Sequence, residues 1–217
     1  MQYTTQFWRQ ISPIYDAILE HGFVRELTTG TLPLANFQYY IGQDALYLLD
    51  FSRALAQLSV KAESADDVLQ FQVFAENAIR VERALHAHYF TQFAIPPESR
   101  KMPACFAYTN FLLATTAIQA LAVGAAAVLP CFWIYREVGK HIYGKADLAN
   151  HPYRSWIDTY AGTEFDLAVQ QMLAITERLA VESGPATRQL MTDAFVKSSQ
   201  LEWLFWNDAY ELRGWGI

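Results

Sequence analysis

The sequence is poor in cysteine, since its 217 residues include only Cys105 and Cys131. Two cysteines make no disulfide framework, and they fit a reducing compartment. The first five residues, MQYTT, lack the basic and apolar regions of a secretory signal peptide. We therefore expect a cytoplasmic protein.

Basic residues are also scarce, because 16 Lys and Arg face 22 Asp and Glu and leave a net charge of −6. No run of lysine or arginine occurs that could follow a phosphate backbone. This balance argues against a nucleic-acid partner. The 53% of hydrophobic residues is enough for a large core and for surface that is buried between subunits.

Charged residues are absent from residue 102 to residue 135, a segment long enough to cross a membrane. Gly124 and Pro130 interrupt it, however, and polar side chains such as Asn110 and Gln119 lie within it. No cluster of lysine or arginine flanks it to set an orientation. We expect two helices buried inside a bundle or an oligomer, and no membrane partner.

Sustained alternation of polar and apolar residues is lacking too, so the pattern favours no strands. Apolar residues recur at helical spacing instead. This spacing predicts helices over residues 4–20, 34–59, 64–93, 165–182 and 186–213, besides the uncharged pair. Pro13 predicts a bend or a late start in the first helix, and turn residues mark 29–33, 96–98 and 143–153. No linker divides the chain, which indicates one domain over residues 1–217 and an all-α bundle.

The most distinctive segment, residues 129–139, places a proline, a thiol and three aromatic rings within six residues. If Pro130 begins a helix, Cys131 lies where unpaired N–H groups favour a thiolate nucleophile. Tyr135 follows one turn later on the same face. The alternatives are that Pro130 kinks a continuous helix and that Cys131 packs as an inert hydrophobe.

Two carboxylates stand among apolar neighbours. Tyr40, Asp44 and Tyr47 share one face of the predicted second helix, where a buried charge needs a hydrogen-bonding partner. Glu202 is surrounded in sequence by leucine and tryptophan, and a carboxyl group against aromatic rings has its pKa raised by desolvation. A raised pKa suits a general acid near neutral pH. The alternatives are that Asp44 faces solvent or ties helices together, and that Glu202 is simply exposed.

A metal site is a further possibility, because Glu82 with His86 and Glu137 with His141 are spaced i, i+4. A di-iron bundle uses Glu-x-x-His at i, i+3 spacing instead, and no histidine follows His151. Structural roles are therefore favoured for both pairs, and we predict no metal site.

Several segments together resemble the TenA (thiaminase II) family. They are GTLP at 30–33, Tyr39-Tyr40 with Gln43-Asp44 and Tyr47, residues 129–139, WIDTY at 156–160, and Ser198-Ser199 with Glu202, Phe205-Trp206 and Gly214-Trp215. The thiol at Cys131 is typical of the cysteine-bearing branch. Phe132, where a tyrosine is often seen, and Ala161, where a glycine is common, depart from the pattern.

The resemblance implies a haem-oxygenase-like helical bundle that is usually a homotetramer. It implies hydrolysis of 4-amino-5-aminomethyl-2-methylpyrimidine, or of thiamin, to the hydroxymethyl pyrimidine of thiamin salvage, with no cofactor. Cys131 would be the nucleophile, Glu202 the proton donor and Tyr47 an enhancer of the nucleophilicity of the thiol. Asp44 would hold the aminopyrimidine. The remaining residues implied to contact the substrate or form its pocket are Tyr108, Tyr135 and Tyr160.

Two other functions stay open from the sequence. One is a haem-oxygenase-like di-iron oxidase that uses the two Glu/His pairs, which stoichiometric iron in active protein would favour. The other is a non-catalytic pyrimidine-binding protein on the same bundle, which tight product binding without hydrolysis would favour.

Overall fold

The computed structural model describes residues 2–93 and 100–216, apart from the side chains of residues 81, 82, 84–86 and 88. Within these ranges the chain forms helices and no strand, which confirms the predicted all-α class. The helices are α1 (Tyr3–Leu19), α2 (Gly22–Thr29), α3 (Leu34–Lys61), α4 (Ala65–Phe93), α5 (Pro103–Ile118), α6 (Leu121–Tyr143), α7 (Arg154–Ala161), α8 (Thr163–Glu182) and α9 (Pro185–Tyr210). The predicted loop at 96–98 lies outside the described residues.

Helix α6 lies at the centre of the bundle, where it packs against α5, α7, α8 and α9. Of the described helices, it is the one whose length and apolar composition would allow it to cross a membrane, yet most of it is buried against its neighbours. Helices α5 and α6 together account for the uncharged segment. The prediction of two buried helices there is confirmed.

Pro130 lies inside α6 and does not begin a helix, so the prediction that Cys131 occupies a helix N-terminus is wrong. A proline in a helix interior costs about 3 kcal/mol. The turns before it are rich in alanine and wholly buried, and burial of apolar surface opposes that cost. Ser198 Oγ also donates a hydrogen bond of 2.6 Å to the carbonyl of Ala127, next to the Ala126 carbonyl that Pro130 deprives of its helical partner.

Helix α1 begins at Tyr3 and contains Pro13, so the alternative of a late start is wrong. The carboxylate of Glu177 in α8 accepts the N–H groups of Tyr3 and Thr4 at 3.0 and 2.8 Å. It also accepts the Thr4 hydroxyl at 2.9 Å. A carboxylate at this place accepts hydrogen bonds from N–H groups that have no partner within the helix. The positive end of the helix dipole also stabilises its negative charge.

The sequence did not predict α2 and α7, because eight residues give too few turns for a helical period to stand out. Helix α2 begins where His21 Nδ1 accepts the N–H of Phe23 at 3.1 Å, and it ends at Gly30, whose φ is 71°. Helix α7 buries Trp156 and Tyr160. It therefore brings two rings of the WIDTY segment into the core beside α6.

Candidate active site

A cavity of about 640 Å³ lies between α3, α4, α6 and the junction of α7 with α8. Its rim consists of exposed residues, namely Asn77, Asp158, Thr163, Glu164 and Leu167. The apolar part of its wall includes Leu48, Phe51, Phe74, Ala78, Phe132, Phe165 and Ala168. The polar part is formed by Asp44, Cys131, Tyr135 and Tyr160. The volume lies within the range of about 300–1,000 Å³ that is usual for small-molecule sites.

Cys131 is half-buried and lies on the cavity wall, one turn before Tyr135 on α6. The i, i+4 spacing therefore places both side chains on one face, as predicted. The other thiol, Cys105, is buried and donates to the carbonyl of Gln43 at 3.6 Å. Burial raises the pKa of Cys105 to about 12. Of the two thiols, Cys131 is the one that a ligand in the cavity can reach.

Asp44 in α3 is 3% exposed and lines the same cavity, so the alternative of a solvent-facing carboxylate is wrong. The negative charge of Asp44 acts on two other site residues. It contributes to raising the pKa of both Tyr135 and Glu202, in each case after the larger effect of burial. The carboxylate therefore offers hydrogen-bond acceptors at the apolar-walled cavity.

Glu202 in α9 is 1% exposed, so the alternative of an exposed glutamate is also wrong. Tyr108 Oη donates a hydrogen bond of 2.8 Å to its Oε1. Burial raises the pKa of Glu202 from 4.5 to about 8; the Tyr108 hydrogen bond opposes this rise, and the charge of Asp44 adds to it. The carboxyl group thus holds its proton near neutral pH, as a general acid requires.

Glu202, Tyr47 and Tyr108 do not line the cavity themselves but form a buried layer behind its wall. The Tyr47 and Tyr108 rings lie 5.0 Å apart between centroids. Burial raises the pKa of Tyr47 well above its ordinary value, and the nearby Cys131, Tyr108 and Glu202 raise it further. The Tyr47 hydroxyl makes no hydrogen bond of regular geometry within the described part of the chain, but it lies close enough to Cys131 and Tyr108 for looser hydrogen bonds to influence the pKa values of Tyr47 and Tyr108. It is a neutral polar group left available close to the thiol.

Tyr135 accepts hydrogen bonds from Tyr40 Oη and Trp206 Nε1, both at 3.3 Å. Tyr40 in turn accepts one of 3.2 Å from Trp156 Nε1. Burial raises the pKa of Tyr135 well above its ordinary value, so its hydroxyl stays neutral. The ring of Tyr135 also lies 4.9 Å from that of Tyr160, which gives the cavity an aromatic wall suited to a flat ligand.

Tyr160 reaches the cavity because α7 approaches α6 closely at Gly139. A Cβ built on Gly139 would lie 2.7 Å from the backbone carbonyl carbon of Tyr160, a distance that real Cβ contacts essentially never show. Only glycine fits at position 139 without a shift of α7. The Tyr160 ring is also held by an edge contact with Phe165 at 5.1 Å.

The structure thus brings all seven predicted site residues into one region, four on the cavity wall and three behind it. Their chemical roles stay predictions. Sequence reasoning missed the close approach at Gly139 and the acidic rim. It placed Tyr40 on the face of Asp44 and Tyr47 but assigned it no role; its i, i+4 spacing from Asp44 was the available signal.

The residues whose positions are described include no group of three or more His, Cys, Asp or Glu side chains able to hold a metal ion. Glu137 is paired with Arg136 at 2.7 Å. The side chains of Glu82 and His86 lie outside the description. The predicted di-iron alternative therefore gains no support from the described residues.

Comparison with known proteins places these motifs in context. A model of the TENA/THI-4/PQQC family matches residues 8–212. The thiamine biosynthesis multifunctional protein ThiED of Corynebacterium efficiens is 36% identical over 214 residues, which are 98% of this chain and 29% of that protein. The chain thus spans less than a third of the length of this multifunctional relative. An aminopyrimidine aminohydrolase of Bacillus subtilis is 32% identical over 199 residues, which are 90% of this chain and 84% of that protein.

Solved structures agree with the fold. A TenA homologue from P. horikoshii OT3 superposes with a TM-score of 0.88 at 29% identity, and the match covers 97% of this chain and 99% of the other. A domain of unknown function with a haem-oxygenase-like fold, from Shewanella denitrificans OS217, gives a TM-score of 0.75 at 12% identity and covers 96% and 92% of the two chains. At that identity the likeness shows the fold alone, and it confirms the predicted haem-oxygenase-like bundle.

Proposed function

The chain belongs to the TENA/THI-4/PQQC family, and from this premise we propose that it hydrolyses an aminopyrimidine through a covalent adduct with Cys131. The substrate is 4-amino-5-aminomethyl-2-methylpyrimidine or thiamin, and the product is the hydroxymethyl pyrimidine. Relatives named aminopyrimidine aminohydrolases, at about 30% identity, support this reaction class. We further propose a cytoplasmic homotetramer that acts in thiamin salvage.

One observation carries the proposal: a reachable thiol and a buried carboxylate share a cavity wall, with a second carboxyl group of near-neutral pKa directly behind it. Cys131, Asp44 and Glu202 come from three different helices, α6, α3 and α9. A structural ion pair would need a cation among them, and each of the three is neutral or acidic. In this arrangement Glu202 can serve as an acid, Cys131 as a nucleophile and Asp44 as an anchor for a polar ring.

Asp44 is proposed to accept hydrogen bonds from the exocyclic amino group and so to fix the orientation of the ring. Asp44 lies near enough to Glu202 for its charge to add to the raised pKa of that group. The proposed acid role of Glu202 therefore requires the ring held by Asp44 to reach the buried layer behind the wall. The flat walls of Tyr135 and Tyr160 match a flat heterocycle, and each favourable aromatic contact adds about 0.5–1.5 kcal/mol beyond burial. Holding reactants in an attack geometry can supply about 7–11 kcal/mol of the barrier.

The covalent sequence begins when the Cys131 thiolate adds to the ring carbon next to the substituted one. The adjacent ring nitrogen takes the proton of Glu202, and the ring becomes electron-rich. Its electron pair then expels the protonated amine as ammonia, or the thiazole of thiamin, from the methylene carbon. Water adds to that methylene and gives up a proton, which the released ammonia takes up or, with thiamin, the solvent. The ring N–H proton returns to Glu202 as the sulfur leaves as thiolate, which restores the aromatic ring.

In this scheme Tyr47 acts beside the thiol. Its neutral hydroxyl lies close enough to Cys131 for a hydrogen bond between the two groups to contribute to the raised pKa of Tyr47. Such a bond stabilises a thiolate and orients the sulfur. We therefore assign Tyr47 to the support of Cys131 and not to contact with the ring.

Product analysis tests the proposal. Wild-type protein and Cys131→Ser are incubated in parallel with each pyrimidine in water enriched in heavy oxygen. We expect the wild type to form hydroxymethyl pyrimidine that carries the heavy oxygen, and the variant to form none above background. Binding of the product without hydrolysis of either candidate would instead favour a pyrimidine-binding protein.

A further inference from the structure

A directed line of hydrogen bonds ends on the Tyr135 hydroxyl. Trp156 Nε1 donates to Tyr40 Oη at 3.2 Å, and Tyr40 Oη donates to Tyr135 Oη at 3.3 Å. Trp206 Nε1 donates to the same Tyr135 oxygen, also at 3.3 Å. All four side chains are 5% exposed or less, so water does not compete for these bonds.

The direction of the Tyr135 proton follows from the indole N–H of Trp206 and from the geometry of the Tyr40 hydroxyl, which gives Tyr40 as the donor. An indole N–H can only donate, whereas a phenol carries one proton and two lone pairs. Tyr135 receives two donors and thereby uses both lone pairs. In the hydrogen bonds of the described residues it acts as acceptor only. Its own proton is left to donate, and Tyr135 is one of the residues that line the cavity.

We propose that Tyr40 is a positioning residue that makes Tyr135 a dedicated hydrogen-bond donor toward the cavity. A ligand must then present an acceptor to Tyr135, while Asp44 on the same wall offers an acceptor to the ligand. A donor and an acceptor side by side complement an amino group next to an unprotonated ring nitrogen. This choice of ligand rests on the proposed function, whereas the order of the hydrogen bonds does not.

Removing the Tyr40 hydroxyl leaves one lone pair of Tyr135 open, so the Tyr135 proton is no longer aimed by its neighbours. The residues assigned to the chemical step are unchanged in this variant, because Tyr40 does not line the cavity. We therefore expect Tyr40→Phe to raise KM and the dissociation constant of the hydroxymethyl pyrimidine about fivefold, with kcat changed by less than about twofold. A purely structural loss would show as a lower fraction of active protein at unchanged KM.

A double-mutant cycle of Tyr40→Phe and Tyr135→Phe isolates the coupling. Because Tyr40 acts through Tyr135, its substitution should change the dissociation constant by less than about twofold when Tyr135 is already Phe. Tyr153→Phe is the matched control: Tyr153 is buried, its hydroxyl donates to the carbonyl of Leu32 at 2.6 Å, and it does not line the cavity. We expect this control to bind the pyrimidine as the wild type does. An equal effect of Tyr40→Phe in both backgrounds would overturn the proposal.

Neutron diffraction of the deuterated wild-type protein decides the order of the hydrogen bonds without any ligand. We expect the deuterons of Tyr40 and Trp206 to point at the Tyr135 oxygen and the deuteron of Tyr135 to point into the cavity. A Tyr135 deuteron that points at Tyr40 would refute the proposal. Failure of the wild type to bind any pyrimidine would count against the proposed function, and the neutron result would still decide the role of Tyr40.

Discussion

The buried carboxyl group of Glu202 makes stability depend on pH in a predictable direction. Burial raises its pKa from 4.5 to about 8, and the group is 1% exposed, so solvent does little to screen the effect. Between these two values the folded protein holds a proton that the unfolded chain releases. Folding is therefore most favoured below pH 4.5, as far as this group is concerned, and its contribution is lost as pH rises toward 8.

The size of the effect follows from linkage. While only the folded state is protonated, the free energy of unfolding falls by about 1.36 kcal/mol per pH unit. With a folded pKa of about 8, the loss from pH 6 to pH 8 is about 2 kcal/mol, since the group is half ionised at the upper limit. Glu202→Gln removes the titration but keeps an oxygen that can accept the Tyr108 hydrogen bond of 2.8 Å.

Denaturant unfolding of wild type and Glu202→Gln, at one protein concentration and several pH values, measures this difference. We expect the free energy of unfolding of the wild type to fall by about 2 kcal/mol more than that of the variant between pH 6 and pH 8. The activity of the wild type should also decline above about pH 8, where the acid loses its proton. Parallel stability curves for the two proteins would refute the reasoning, because they would mean that Glu202 does not titrate differently in the folded state.

Two further predictions concern the cavity wall and its rim. Gly139→Ala should lower kcat/KM about tenfold or more by displacing Tyr160, because misplacement by about 1 Å can lower rates about 100-fold. In steady-state assays Gly184→Ala is the control, as nothing lies within 4 Å of its added Cβ, and wild-type kinetics for both variants would contradict the packing argument. At the rim, every charged lining residue that the structure describes is acidic, so Glu164→Lys should lower about tenfold the ratio of kcat/KM at low salt to kcat/KM at high salt for cationic thiamin. The same charge change at the exposed Glu63 should leave that ratio unaltered. If Glu164→Lys also left the ratio unaltered, the charge of the rim would have no part in substrate selection.

The sequence predicted the long helices because each repeats apolar residues over many turns. It failed at Pro130, where a local preference for helix starts conflicts with nine preceding uncharged residues that continue the helix. Burial of α6 decided the outcome, and burial in a bundle is a tertiary property that a local pattern does not report. The sequence did not predict the short helix α7 either, because eight residues are too few to show a helical period.

The candidate site could be predicted in part. Asp44 and Tyr47 were found because their helix face mixes polar groups with apolar neighbours, and Glu202 because leucine and tryptophan flank it in sequence. The distinction between the cavity wall and the buried layer behind it was not accessible, since it depends on how α3, α6 and α9 pack together. Gly139 lies against α7 and Tyr40 contacts Tyr135 in α6, so the roles proposed for these two residues depend on the positions of those helices.

The most direct test of the central claim compares turnover of both pyrimidines by Cys131→Ala and Cys105→Ala. Cys131 lines the cavity, whereas Cys105 is buried with its pKa raised to about 12, so the pair is a matched substitution at a reachable and an unreachable thiol. We predict that Cys131→Ala keeps the fold but loses at least about 1,000-fold in kcat, as removal of a catalytic nucleophile does, while the fraction of Cys105→Ala that folds turns over like the wild type. Near-full activity of folded Cys131→Ala would contradict the covalent mechanism.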